Sequence, residues 1–530
     1  MGAQTLAVLV GAVLMSALAR HFKLSSPLLL VIAGLAVGLI PGMPTITLEP
    51  DVVLFVLLPP LLWSAGLESS YVDLRRNKRT IGMLAVGLPL VTTFAVGVVA
   101  YRLVPDLTLA AALTLGAIVA PPDAVSATAI GRRLGLPRRM MTLLGGESLL
   151  NDATALTAYK VALAATIGAA TSWSSAASTF ALAVVVGIII GVVMGVLIVF
   201  VRTRLQDPLA ETAIGLVAPF LIYLLGEELH GSGVLAVVSA ALVVGQRATR
   251  AGYATRLQDD AVWRALQLLL ESFAFLLIGL QLPRVVSELA GISATTLVVA
   301  SVGVLATVIL VRIVWVFLLS YLPRLSRRER EDAPGPAQVF IVAWAGMRGV
   351  VSLAAAFAVP LTTLTGDELP GRPQLVFLTF VVVIGTLLLH GLTLPWLVRV
   401  LGVQRDDIHT DAVRAAAAQS RAAAAAAKRL DELLAKQRES GGLSEVQERA
   451  AEVLRRWNTS RGDAAWEQLG RDPDEIGESP AAAFRRLRLE MLAAERSALI
   501  KEREEERIDD EALRDLLHGL DLEEATLNRD

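Results

Sequence analysis

GGESLLND, residues Gly145–Asp152, sets four polar or charged side chains, Glu147, Ser148, Asn151 and Asp152, in a stretch otherwise apolar enough to cross a bilayer. A carboxylate at bilayer depth costs about 2.5–3.5 kcal/mol on insertion scales, so an intramembrane acid is by default a candidate for an ion or proton pathway. Two such acids fall within six residues here. On a helix Glu147 and Asn151 are four apart, as are Ser148 and Asp152, so the four side chains line adjacent strips of one broad face. Together they offer oxygen ligands.

The rest of the chain supports a membrane setting. Its 530 residues are 54% hydrophobic and 18% charged, with a mean hydropathy of +0.60, too apolar for a soluble globular protein. The formal net charge of -2 averages a basic membrane part with an acidic tail. Cysteine is absent, which excludes disulfides, thiolate metal sites and thiol redox chemistry, and five scattered histidines argue against a histidine-rich metal site. No G-x-x-x-x-G-K-[ST] phosphate loop occurs, which argues against an ATP-driven pump. The first hydrophobic run, from about Ala3 to Ala19, has no basic segment before it and no small-residue cleavage motif after it, so it reads as a first span.

Runs of about 17–25 apolar residues predict spans near 3–20, 25–43, 50–67, 80–103, 107–131, 141–168, 176–201, 211–226, 231–246, 261–282, 294–322, 337–360 and 375–402. Alternate loops collect the basic residues that belong on the cytoplasmic side. They are Arg20 with Lys23; Arg75, Arg76, Lys78 and Arg79; Arg132, Arg133, Arg138 and Arg139; Arg202 and Arg204; Arg247, Arg250 and Arg256; and Arg324, Arg327, Arg328 and Arg330. The other loops carry almost none, Arg284 and Arg372 excepted. The expectation is a multi-pass cell (inner) membrane protein of about 13 transmembrane helices, with the N-terminus outside and the C-terminus in the cytoplasm.

After about Gly402 the composition turns to Ala, Glu, Arg and Leu, strong helix formers with a modest apolar stripe. Residues 403–530 are therefore expected to form a helical cytoplasmic domain, broken at Ser440-Gly441-Gly442 and around Asp472-Pro473-Asp474. Regulation, dimer support and an inert solvated tail stay open for it.

Thirteen spans divide as six, a linker and six, the inverted-repeat plan of several secondary transporters, which pairs span five with span twelve in opposite orientation. Span five carries Pro121, Pro122 and Asp123 at its middle; span twelve carries Gly346, Arg348 and Gly349. Helix-breaking residues with one charge in each partner predict discontinuous helices that expose carbonyls and half-helix ends at mid-membrane. A hard monovalent cation such as sodium or lithium prefers carboxylate, hydroxyl and carbonyl oxygen. Asp152 with Ser148, Asp123 and freed carbonyls near Pro121 and Pro122 would make such a site. A buried carboxylate favours its proton and a bound cation expels it, so one group holds either but poorly both. That competition is antiport. A cation channel is the alternative, since selectivity there also uses acids and carbonyls.

With these residues in view, the chain resembles the monovalent cation:proton antiporter-1 family, which includes bacterial sodium/proton antiporters of the NhaP type and the animal sodium/proton exchangers. The resemblance is carried, in order, by LPPLLWSAG at Leu58–Gly66, GAIVAPPDAV at Gly116–Val125, GGESLLNDA at Gly145–Ala153, HGSGVLAVVSAALVVG at His230–Gly245, ESFAFLLIG at Glu271–Gly279 and AGMRGVVSL at Ala345–Leu353. It implies a secondary transporter, not an enzyme, acting in pH homeostasis without a cofactor. It further implies a homodimer among membrane lipids with no nucleic-acid partner, and two crossed broken helices. The antiporter domain, 1–402, would comprise a core including about 80–168 and 294–402, moving elevator-like against a dimerisation domain including about 1–67 and 211–282. Asp152 would be the shared ion and proton carrier. Asn151 stands where electrogenic relatives have a second Asp, which implies electroneutral exchange of one cation for one proton. Glu147 would pair with Arg348 to hold the core together. Sodium or lithium is the expected cation, bound at Asp152, Asp123, Ser148, Asn151 and the Pro122 carbonyl, with potassium as the alternative.

Two positions depart from that pattern. Relatives usually show Thr-Asp where this chain has Pro122-Asp123, and many have an acid where it has Ser64. Other residues have two readings each. Asp123 is an ion ligand or a stabiliser of the helix break, and Glu271 is a funnel acid or a hydrogen-bonded helix-end residue. Lys160, two turns beyond Asp152, snorkels, forms a pair or takes part in transport. Glu211, Glu227 and Glu228 near span ends read as solvated or capping residues, and His390 as a packing residue.

Overall fold

The Leu-, Val-, Ile- and Ala-rich runs fold as helices, because a backbone in hydrocarbon must satisfy its own hydrogen bonds. A computed structural model describes residues 2–528 apart from 23–24, 41–49, 106, 124–126, 129, 132–133, 169–172, 206, 249–250, 290–291, 322–334, 365, 370, 404–407, 443, 468–479, 506 and 509. Of the basic loop residues, Lys23, Arg132, Arg133, Arg250, Arg324, Arg327, Arg328 and Arg330 lie outside the described residues, as does the Asp472-Pro473-Asp474 break. Described residues form no strand, only one isolated bridge between Thr362 and Glu368.

The chain divides into two compact units, Met1–Gln404 and Arg405–Asp530. In the first the helices are α1 (Gly2–His21), α2 (Ser26–Gly38), α3 (Pro50–Glu68), α4 (Tyr71–Arg76) and α5 (Lys78–Leu103, with a π-turn at Met83–Gly87). They continue with α6 (Leu109–Val119), α7 (Arg138–Thr166), α8 (Trp173–Leu205), α9 (Pro208–Glu228), α10 (Gly233–Gln246) and α11 (Tyr253–Ser287). The last are α12 (Ala294–Tyr321), α13 (Pro336–Trp344), α14 (Val350–Phe357) and α15 (Arg372–Val400). Lys78–Leu103, Ser178–Leu205, Pro208–Glu228, Tyr253–Ser287, Ala294–Tyr321 and Arg372–Val400 are long and apolar enough to cross a membrane.

Two packing groups make up this unit. Helices α1, α2 and α11 pack together, and α10 packs with α3, α8 and α9. Helices α5, α6, α7, α12, α13, α14 and α15 form the other group. Helix α7 touches both, meeting α6 on one side and α8 and α10 on another.

Two predicted spans are interrupted. Helix α6 stops at Val119, ahead of Pro121 and Pro122, which lack the N–H groups that a further turn needs. Ala127 and Thr128 are again helical. The stretch Ala345–Gly349 between α13 and α14 is likewise not helical. The breaks lie against one another: the Asp123 N–H donates to the Met347 carbonyl at 2.6 Å, and Arg348 Nε donates to the Val119 carbonyl at 2.7 Å. In a continuous helix Asp123 N–H would donate to Val119, so each break supplies the partner the other has lost.

The second unit holds α16 (Ile408–Gly441), α17 (Glu445–Glu467), α18 (Pro480–Glu504) and α19 (Asp510–Leu527). Helices α16 and α17 are joined by Arg455 with Asp431 at 2.7 Å and by Asn458 Nδ2 donating to the Ala423 carbonyl at 2.8 Å. Helices α18 and α19 are clasped by Arg488, whose Nε and Nη2 donate to the two Glu523 oxygens at 2.7 and 2.8 Å.

Candidate functional site

Helix α7 brings its polar face to the break in the α6 span. Ser148 Oγ donates to the Pro122 carbonyl at 3.2 Å and Asn151 Nδ2 donates to the same oxygen at 3.4 Å. A carbonyl oxygen has two lone pairs, and both are used. The Pro122 carbonyl, expected as a cation ligand, accepts from Ser148 and Asn151 here. The buried Asn151 Oδ1 has no hydrogen-bond partner among the described residues. Asp152 and Asp123 are half-buried and line one cavity of about 520 Å³ with Pro121, Pro122 and Ser148. The same cavity is also lined by Arg264, Gln267 and Glu271 of α11 and by Glu68 at the end of α3. Glu271 lines the same cavity as Asp152 and accepts from Gln267 Nε2 at 2.7 Å.

Gly349 explains how Asp123 comes this close to the second break. A Cβ built there would fall 2.6 Å from Asp123 Cγ, well inside van der Waals contact. Gly346 plays the same part for Arg312, since its Cβ would fall 2.3 Å from Arg312 Cδ.

The expected ion pair between Glu147 and Arg348 does not form. Glu147 is paired with Arg312 of α12 in a two-pronged contact, Nη1 to Oε1 and Nη2 to Oε2, the latter at 3.0 Å, with side chains 1% and 2% exposed. Arg312 also donates through Nε to the Ala343 carbonyl at 3.0 Å and through Nη2 to the Val342 carbonyl at 3.2 Å. Arg348 is taken up by backbone: besides Val119, its Nη1 reaches the Gly346 carbonyl at 2.6 Å, and its own N–H donates to Thr386 Oγ1 at 3.0 Å. The physical reason is common to both arginines. A helix that ends inside the membrane leaves carbonyls and a partial negative charge with no water to receive them, and a guanidinium supplies both donors and charge. Arg348 serves the end of α6 and Arg312 the end of α13. Arg312 has donors left for Glu147 and lies beside it.

Arg312 was missed by motif reading, although a lone arginine in the middle of the apolar run VILVRIVWV was the available signal. Ser64 is not brought to the site. Its hydroxyl donates to the Leu61 carbonyl at 3.0 Å and lines a separate cavity of about 260 Å³ with Arg202 and Asp259. Lys160 pairs with Glu227, and the same carboxylate accepts the Gly233 N–H at 3.0 Å, capping α10. His390 is buried against Trp344, ring centroids 4.9 Å apart.

A family model described as "Sodium/hydrogen exchanger, transmembrane" matches residues 7–400. An uncharacterised sodium/proton exchanger of Mycobacterium tuberculosis is 35% identical over 99% of this chain and 96% of its own length. A sodium, potassium, lithium and rubidium/proton antiporter of Bacillus pumilus is 29% identical over 70% of this chain and 57% of its own length. Among solved structures, the sodium/proton antiporter MjNhaP1 of Methanocaldococcus jannaschii superposes with a TM-score of 0.61 at 18% identity, covering 75% of this chain and 98% of that one.

Proposed function

This chain belongs to the transmembrane sodium/hydrogen exchanger family, a family of multi-pass cation/proton antiporters, and we propose that it exchanges one sodium or lithium ion for one proton at Asp152. One observation carries the assignment. Asp152, Ser148 and Asp123 line one cavity at the meeting of two interrupted helices, beside Asn151 Oδ1, which has no hydrogen-bond partner among the described residues. This is a cluster of hard oxygens with two carboxylates, able to exchange a proton for a metal ion, in a cavity that Arg264, Glu68 and Glu271 also line. Asn151, neutral where a second acid would add charge, supports electroneutral one-for-one exchange. The Bacillus pumilus antiporter is one of sodium, potassium, lithium and rubidium, which supports potassium as the alternative substrate here.

The finer architecture belongs to the same proposal: about 13 spans in inverted repeats, and a homodimer. A core that includes the α5–α7 and α12–α15 group moves elevator-like against the remaining helices. The alternation of Lys and Arg supports an inner-membrane orientation with the N-terminus outside and the C-terminal unit in the cytoplasm. The cavity is lined by Glu68 and Leu74, close in sequence to the basic Arg75–Arg79 segment, which supports a cytoplasm-facing state.

The test is proton movement in proteoliposomes under an imposed pH gradient, on addition of sodium, lithium or potassium in turn. Exchange should vanish in Asp152→Asn; full exchange in that variant refutes the carrier assignment. Conduction of cations without proton coupling refutes antiport in favour of a channel.

A further inference from the structure

The cavity approaches Asp152 along residues Met141–Ser148 of α7, so the other end of the same helix is what separates Asp152 from the opposite side. Lys160 stands there, eight residues on and about 12 Å along the axis at 1.5 Å per residue. It is paired through Nζ with both carboxylate oxygens of Glu227, at the end of α9. One turn nearer to Asp152, Thr157 Oγ1 donates to Ser232 Oγ at 3.4 Å. Both contacts join the carrier helix to one short junction, Glu227–Ser232, where α9 ends and turns into α10.

That connection is held in place independently of α7. His230 takes a left-handed conformation, φ 56°, and the Gly231 N–H closes back onto the Gly226 carbonyl at 2.8 Å. The Ser232 N–H donates to the Ala183 carbonyl of α8 at 2.9 Å, and Ser232 Oγ accepts from Leu235 N–H as the α10 cap. Glu227 caps α10 as well through Gly233. A fixed, acid-bearing anchor thus faces a lysine on the helix that carries the exchange site. The pair lies at the surface of the chain, with side chains 42% and 34% exposed. An exposed ion pair contributes about 0.2–1 kcal/mol, enough to bias two states without locking one.

We infer that Lys160 and Glu227 form a releasable latch that holds α7 in the cavity-open state, and that this pair parts each time Asp152 turns to face the opposite side. Lys160 is a positioning residue: it touches neither the cation nor Asp152, and it sets how often the site is presented at the latch end. The inference rests on Asp152 as the carrier. Apparent affinity on a given side scales with the fraction of protein facing that side. Breaking the latch therefore lowers KM for the cation on the latch side and leaves KM on the cavity side almost unchanged.

Two experiments decide it. In vesicles of known sidedness, Lys160→Gln and Glu227→Gln should each lower the latch-side KM about 1.4- to fivefold, which is that pair energy expressed as a ratio, and Lys160→Glu combined with Glu227→Lys should restore it. Equal KM changes on both sides, or a fall in maximal rate alone, overturn the latch. The chain has no cysteine of its own, so Lys160→Cys with Glu227→Cys can be bridged by a reducible bifunctional reagent. Exchange should stop when bridged and return on reduction; full exchange while bridged overturns the proposal even where the charge variants fail to fold. Exchange that survives Asp152→Asn refutes the carrier reading instead, and the side-to-side KM ratio then still reports on the latch for the cation carried.

Discussion

Glu147 and Arg312, 165 residues apart in sequence, form a buried two-pronged ion pair that ties α7 to α12, while Arg312 also receives the carbonyl end of α13. The helix that carries Asp152 is thereby coupled to one interrupted helix by charge, and to the other by Ser148 and Asn151 on Pro122. Glu147 is held structurally and is not available to the exchange site.

Removing one partner of that pair leaves an uncompensated charge in the core. Glu147→Gln or Arg312→Met alone should destabilise the fold by about 3–5 kcal/mol, and the two together by clearly less than the sum. Thermal unfolding of the detergent-solubilised variants measures this; additive losses would show that the pair does not act as a unit.

Arg348→Lys separates capping from charge. A lysine keeps the positive charge but lacks the planar fork that reaches Val119 and Gly346 together. One charged hydrogen bond lost is about 1.5–3 kcal/mol. The variant should fold with a lowered melting point and reduced exchange, whereas Arg348→Lys with wild-type melting would remove Arg348 from the account of the α6 end.

Gly349→Ala tests the closeness of Asp123 to the second break. The added methyl must displace the Asp123 carboxylate, and a misplacement of about 1 Å at a reacting group is worth about a hundredfold. Cation-driven proton movement should fall by one to two orders of magnitude with expression retained; unchanged exchange would mean that the position of Asp123 is not critical.

Asn151→Asp adds a second acid beside Asp152. Exchange by the native chain should be indifferent to a potassium–valinomycin clamp of membrane potential, and exchange by the variant should become voltage-dependent. A voltage-dependent native rate would refute one-for-one stoichiometry.

In the C-terminal unit, hydrogen bonds from Arg488 hold the Glu523 carboxyl below its ordinary range. A depressed folded value gives stability that is present above the unfolded value and is lost as pH falls through the folded one. Glu523→Gln should therefore lower the melting of this unit at neutral pH, and the difference should close on acidification past the carboxylate range. A difference that persists in acid would point to lost packing instead.

Local sequence determined a great deal. Hydrophobic run length made the helices, because a bilayer leaves the backbone no other partner. Pro121 with Pro122, and the glycines around Arg348, marked the two interruptions, because a missing N–H and a missing Cβ act within one turn. The spacing of Ser148, Asn151 and Asp152 placed their side chains on one face. Which distant groups meet was decided only by the tertiary structure. Arg312 rather than Arg348 receives Glu147, because the end of each half-helix attracts whichever guanidinium the packing delivers, and that depends on where α12 crosses α13. Ser64 turns away from Asp152, because the rotation of α3 against α10 sets its face. Lys160 finds Glu227, because the α9–α10 connection is folded back beside α7. Charges in hydrocarbon must be paired, so their presence was readable one residue at a time, whereas their partners followed only from the packing of whole helices.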